Sequence, residues 1–195
     1  MKKWMIAVGV VAVIGLYVMS SYNAFVPLEE DVNAKWSQVL NVYQRRADLI
    51  PNLVNVVKGY AAHEKDTLVG VTEARAKATQ ISPDAMKNIT NDPQAFNNFQ
   101  QAQSGLSSAL SKLMVVVEKY PELKANENFK QLQDQLEGTE NRITVERQRF
   151  NESAQTFNVK VRGFPSNVLA NLFGFHTKIY FTASEGAEKA PVVNF

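Results

Sequence analysis

The sequence predicts an all-α fold: an N-terminal transmembrane helix, then a long antiparallel three- to four-helix bundle, then a short extended C-terminal tail. Three observations carry this. Trp4 to Met19 holds no polar or charged residue. From Leu28 an apolar stripe advances in steps of three and four residues, the period of one helical face. Beyond Asn126, large apolar residues recur every seven positions, the spacing of a helix packed along a seam, as in a coiled coil. The chain divides into an anchor at residues 1–24, a bundle at 25–176 and a tail at 177–195.

The anchor is long enough to span, since about 20 residues at about 1.5 Å each cross a hydrocarbon core of roughly 30 Å. A cleaved signal peptide also starts with Lys-Lys and an apolar run. That run is usually shorter, however, and no A-x-A-like site follows it here. The sequence has no cysteine, which excludes a lipid-modified cysteine anchor, disulfides and thiolate chemistry. Lys2 and Lys3 precede the span and Glu29, Glu30 and Asp31 follow it. The positive-inside tendency therefore favours a single-pass protein of the inner (cytoplasmic) membrane, with its N-terminus in the cytoplasm and its bulk outside. Both units of the formal net charge of +2 come from those lysines. A neutral body lacks the basic field that nucleic-acid binding needs.

The first bundle helix carries Val32, Trp36, Val39, Tyr43, Arg46, Ile50, Leu53, Val57, Tyr60, Glu64 and Val71 on one stripe and is expected to reach about Thr79. The segment ISPDAMKNITNDPQ breaks it with two prolines and turn-prone Asn and Asp. A second helix runs from about Pro93 to Lys119 and stops at Tyr120-Pro121. Asn126 is placed to cap a third helix. There Phe129, Leu136, Ile143, Phe150, Phe157 and Phe164 recur, with Leu132, Thr139, Glu146 and Ser153 between them. Gly163-Phe164-Pro165 closes it. SNVLANLFGF adds one or two helical turns ended by Gly174. In the tail, KIYFT has weak strand character and SEGAEKAP reads as flexible.

Lengths add an expectation. A first helix of about 50 residues extends about 75 Å, whereas a second of about 27 residues extends about 40 Å and cannot return along all of it. Trp36, Val39 and Tyr43 would then lack a partner, and an exposed aromatic stripe marks a binding face. Copies of the same chain are expected to cover it, giving a homo-oligomer. The alternative is a bend that lets the third helix or the tail cover it.

Catalytic motifs fail on inspection. His63-Glu64 begins H-E-x-x-H, but position 67 is threonine and the second zinc ligand is missing. Neither His63 nor His176 has a glutamate three residues earlier, as a carboxylate di-metal site needs. No phosphate-cradling Gly-rich loop or G-x-S-x-G elbow occurs. Arg46 and Glu64, by contrast, occupy stripe positions where a lone buried charge is costly. They are expected to pair with charges on facing helices, Glu140, Arg142, Glu146, Arg147 and Arg149 being the candidates, and to fix register. The other reading sends Arg45 and Arg46 to a solvated flank. Pro51 either lies inside a continuous, kinked helix or in the first turn of a new one capped by Asp48. The unbroken phase of Tyr43, Ile50 and Val57 favours the kink.

These segments resemble the bacterial LemA family: SYNAFVPLEEDVNAKWSQV, QRRADLIPNLVNVVKGYAAHE with the later EAR at Glu73–Arg75, ENRITVERQRFNESAQTFN followed by FPSNVLANLFGF, and the closing YFTASEGAEKAPVVNF. The resemblance covers nearly the whole chain in the same order. It implies one N-terminal membrane helix and an antiparallel helical bundle, with no settled enzymatic activity. Some family members are encoded near membrane-bound metalloproteases. Its Arg-Arg, Asp, Pro-Asn and His-Glu positions correspond to Arg45, Arg46, Asp48, Pro51, Asn52, His63 and Glu64, carried over as structural or interaction residues.

The expected function is a membrane-anchored, self-associating helical scaffold of the cell envelope, without catalytic activity, cofactor or metal. Its interaction or structural residues are Trp36, Tyr43, Arg45, Arg46, Asp48, Pro51, Asn52, His63, Glu64, Glu140, Arg142 and Glu146. Expected partners are membrane lipid, further copies of the chain and a membrane protein. The alternative is an adaptor or regulator of a membrane enzyme such as a membrane-bound metalloprotease. A third reading is a hydrolase using the helix-three carboxylates.

Overall fold

A computed structural model describes residues 2–80 and 89–182. Helix α1 spans Lys2–Tyr60 without interruption, through both Pro27 and Pro51. Its first part is apolar and exposed, and it is long and apolar enough to cross a membrane. The same helix then enters the bundle, where Phe25, Val32, Trp36 and Val39 are buried.

The expected run to Thr79 is not observed. The chain leaves the helix at Ala61–Glu64, and α2 begins anew over Lys65–Thr79. Glu64 N–H donates to Ala61 O and Leu68 N–H to Glu64 O, so the reversal satisfies its own backbone. Val57, Ala61, Leu68 and Val71 face one apolar cluster from both sides of it. The turn therefore preserves the stripe's phase, which is why the periodicity reads straight through.

A 3₁₀ turn over Ile89–Asn91 leads into α3, Pro93–Val117. Asp92 caps α3 by accepting from the Gln94 and Ala95 amides, and Pro93 sits in the first turn, where no N–H is missed. The short α4, Pro121–Ala125, precedes α5, Glu127–Arg162. Asn126 caps α5 as expected, accepting from Phe129 N–H at 3.0 Å. Helix α6 covers Ser166–Phe173. Gly174 ends it in the left-handed region, φ 78°, with Phe175 N–H bonded to Ala170 O and Gly174 N–H to Asn171 O, a Schellman closure that glycine adopts without strain.

The helices run up, down, up and down. Asn126 meets Tyr60, Glu140 meets Arg46 and Ser153 meets Asp31, the register holding to within two residues, so α5 returns antiparallel along the whole bundle part of α1. The distal half is α1, α2, α3 and α5. In the membrane-proximal half, α6, the tail and the start of α3 replace α2.

Trp36, Val39 and Tyr43 are consequently covered within the chain. The Trp36 ring lies 5.4–5.9 Å from those of Phe96, Phe99, Phe150 and Phe181. This corrects the partnerless stripe: because α2 starts early and folds back, α3 and α5 reach the region the length argument left bare. Phe129, Leu136, Ile143, Phe150 and Phe157 are buried as the heptads require, but Phe164 lies beyond the end of α5 and is exposed.

The tail is extended from Phe175 to Thr182 and forms no strand among the described residues. Side chains of α5 supply its pairing. Asn158 accepts from Lys178 N–H and donates to Lys178 O, while Asn151 does the same with Phe181. Seven helical residues rise about 10.5 Å and three extended ones about 10 Å, so the two asparagines match the tail's repeat. The expected flexible segment SEGAEKAP lies outside the described residues.

Candidate functional site

Arg46 projects from the core face of α1 and is the largest fully buried side chain, 1% exposed. Its Nη1 donates to Glu140 Oε1 at 2.6 Å and to Ser107 Oγ at 2.9 Å. Its Nη2 donates to Gln103 Oε1 at 2.6 Å and to Gln103 O at 3.3 Å. Gln103 Nε2 in turn donates to Ala78 O at the end of α2. One guanidinium thus ties all four long bundle helices in a single polar layer. The layer separates two apolar clusters, one around Trp36, Phe99 and Phe150, the other around Leu53, Leu106 and Leu113. Arg46 thus pairs within the chain with Glu140, one of the charges expected on the facing helix.

Glu64 behaves differently. It lies in the Ala61–Glu64 turn and accepts from the Tyr120 hydroxyl at 3.2 Å, so its partner is a phenol and not a charge on a facing helix. Desolvation, together with the Glu64 carboxylate, raises the Tyr120 pKa. Nearby, Asn126 Nδ2 donates to Tyr60 Oη at 3.0 Å. This end of the bundle is therefore closed by two tyrosines. His63 is exposed on the same turn.

Pro51 deprives the Ala47 carbonyl of its helical donor. Arg75, in the EAR segment of α2, supplies a replacement: its Nε donates to Ala47 O at 2.7 Å. The proline's defect becomes a tie between α1 and α2.

The other named residues separate by face. Arg45, Asp48, Pro51 and Asn52 are exposed on the outside of α1, with Gln44 Nε2 bonded to Asp48 Oδ1. Arg142 is exposed on α5, and Glu146 pairs with Arg149 on its own helix at 2.7 Å. Tyr43 packs edge-on to Phe99 and lies beneath the Arg46 guanidinium. Burial raises its pKa against the opposing charges of Arg147 and Arg46.

At the level of the Arg46 layer, an open polar groove runs between α3 and α5, lined by Gln100, Ser104, Ser107, Ser108, Glu140 and Arg147. Its chemistry suits hydrogen bonding to another polar surface. Among the described residues there is no group of three or more His, Cys, Asp or Glu able to hold a metal.

Several residues escaped the sequence reading. Gln103 interrupts the apolar steps of α3 between Phe99 and Leu106, a signal as readable as that of Arg46. Asn151 and Asn158 each follow a heptad phenylalanine, and the repeated Phe-Asn was visible. Lys178, buried against Glu29 at 2.7 Å and 5.3 Å from the Phe157 ring, carried no local signal because both partners are remote in sequence.

The model of the LemA family matches residues 35–195. The chain belongs to the LemA family. Magnetosome protein MamQ of Magnetospirillum gryphiswaldense is 29% identical over 193 residues, covering 91% of this chain and 71% of that protein. Magnetosome protein MamQ 2 of Paramagnetospirillum magneticum is 30% identical over 186 residues, covering 88% and 68%. Protein LemA of Metamycoplasma hominis is 28% identical over 142 residues, covering 73% and 59%. With the apolar first part of α1, these similarities make the chain a membrane-associated member of the LemA family.

Proposed function

We propose that this LemA-family chain is a single-pass, membrane-anchored interaction protein of the cell envelope that holds a rigid, non-catalytic bundle upright on the membrane. The observation that carries this reading is the continuity of α1. One helix leads from the apolar segment into the bundle core, with Ser21 and Phe25 already buried at the junction. From Asn23 to Tyr60 it rises about 55 Å, so the tyrosine-closed tip stands far from the bilayer.

The partner-facing surface in this reading is the exposed side of α1 at Arg45, Asp48 and Asn52, together with the polar groove. Glu140 is engaged by Arg46 and Glu146 by Arg149, which speaks against free carboxylates poised for hydrolysis. Relatives named as magnetosome proteins suit a role in a larger assembly. Self-association no longer has the aromatic stripe as its basis and rests here on the polar outer faces.

Photocrosslinking from Asn52 in intact cells tests this. Adducts to further copies support the scaffold, and a stoichiometric membrane enzyme supports the adaptor reading. The absence of any adduct from Asn52 and from Ser108 counts against both. Reporter fusions at each end test the proposed orientation, N-terminus in the cytoplasm and bundle outside.

A further inference from the structure

Helix α6 packs Ala170 and part of Leu169 against the core but carries large apolar residues on its outer face as well. A surface helix normally turns large apolar residues inward, yet α6 buries Ser166 and Ala170 and exposes Val168 at 61% and Leu172 at 74%. Phe164, just before it, is 86% exposed. No charged residue occurs from Gly163 to Phe175. Such a face is costly in water and calls for an apolar neighbour.

Its position identifies the neighbour. Phe173 packs edge-on against Tyr22 at 5.1 Å, and Phe175 stacks on Phe25 at 4.8 Å. If the span begins at Trp4, about 20 residues bring α1 to the far edge of the hydrocarbon near Asn23. Helix α6 therefore sits beside α1 at the acyl–headgroup boundary, the level where aromatic side chains concentrate. Lys160 and Arg162 close α5 immediately before Phe164, basic residues placed to meet headgroup phosphates. On the α1 side, Glu29 is bound by Lys178, which quiets one of the two nearest carboxylates.

We propose that Phe164, Val168 and Leu172 insert into the lipid surface beside α1, giving the bundle a second membrane contact that fixes its tilt and rotation. The proposal rests on α1 being the membrane anchor, and its test separates the two.

The chain has no cysteine, so single-cysteine variants at exposed positions can be spin-labelled cleanly in the full-length protein, reconstituted in phosphatidylcholine–phosphatidylglycerol vesicles. Labels at Val168 and Leu172 are expected to show several-fold higher accessibility to oxygen, relative to a water-soluble nickel chelate, than a label at Val115. A label at Val11 reports the anchor itself. If Val11 is lipid-embedded while 168 and 172 match Val115, the second contact is wrong and the anchor stands. If Val11 is also water-accessible, the anchor reading fails first. Spin–spin broadening at 168 or 172 with neither reagent gaining access means a second copy covers the face, which also overturns the proposal.

Discussion

Arg46 illustrates how a buried charge can be held by one chain: both terminal nitrogens find acceptors on α3 and α5, while Nε is left buried without one. Glu140 keeps 44% of its side chain in solvent, so the pair is desolvated mainly on the arginine side. Arg46→Leu leaves the buried Gln103 without its donor while Glu140 can turn to water, and is expected to cost about 1–3 kcal/mol, read as a lower denaturant midpoint. Glu140→Gln leaves the buried guanidinium its bonds to Gln103 and Ser107 but no counter-charge, and is expected to cost on the order of 3 kcal/mol. Asn158→Ala removes two bonds to the tail and should cost about 2 kcal/mol; Asn158→Asp should do no better, because a carboxylate cannot donate to Lys178 O. The buried Tyr43 phenol, raised by desolvation, makes stability fall at alkaline pH. A folded pKa above the unfolded value of about 10 means the contribution is complete below about pH 10 and lost as pH rises from there through the folded pKa. A midpoint series from pH 8 to 11 should fall at the alkaline end, and Tyr43→Phe should flatten part of the fall. The charge on the stripe was legible because arginine interrupts an apolar period. Its hydrogen-bond partners were not, since Gln103 and Ser107 lie some 60 residues away and only packing brings them together.

Among the elements, α1 shows what periodicity can and cannot tell. Its unbroken phase was evidence of continuity at Pro51, where the helix does continue. The same phase misled at Ala61–Glu64, where a tight turn keeps successive apolar residues on one core. Phase reports which side is buried, and a turn that returns the chain to the same core leaves it unchanged. The Pro51 carbonyl defect offers a sharp test, because Arg75 compensates it from another helix. Arg75→Ala should cost about 1–2 kcal/mol, and less in a Pro51→Ala background, where the helix can bond Ala47 O itself. A double-mutant cycle showing no coupling would separate the two residues. The tail's weak strand pattern was read correctly as extended chain, but its pairing partner is a helix. Asn151 and Asn158 provide the amide and carbonyl that a neighbouring strand would supply.

For the whole molecule, the architecture was legible in outline: one apolar span, long antiparallel helices and an extended tail all follow from local patterns. The arrangement of the membrane-proximal half was not, because it depends on where α2 begins and on the tail returning to α5. That half packs within its own chain, Trp36 lying among Phe96, Phe99, Phe150 and Phe181, which is why the proposed interactions are placed on the outer faces. The claim that α5 returns along α1 of the same molecule is open to direct test. Asp31 and Ser153 are hydrogen-bonded across the two helices near the membrane. With Asp31→Cys and Ser153→Cys as the sole cysteines, a short bis-thiosulfonate linker applied in native membranes should join them within one chain and yield a faster-migrating monomer. Covalent dimers and higher ladders in place of that monomer would show that the helices pair between chains and would contradict the account.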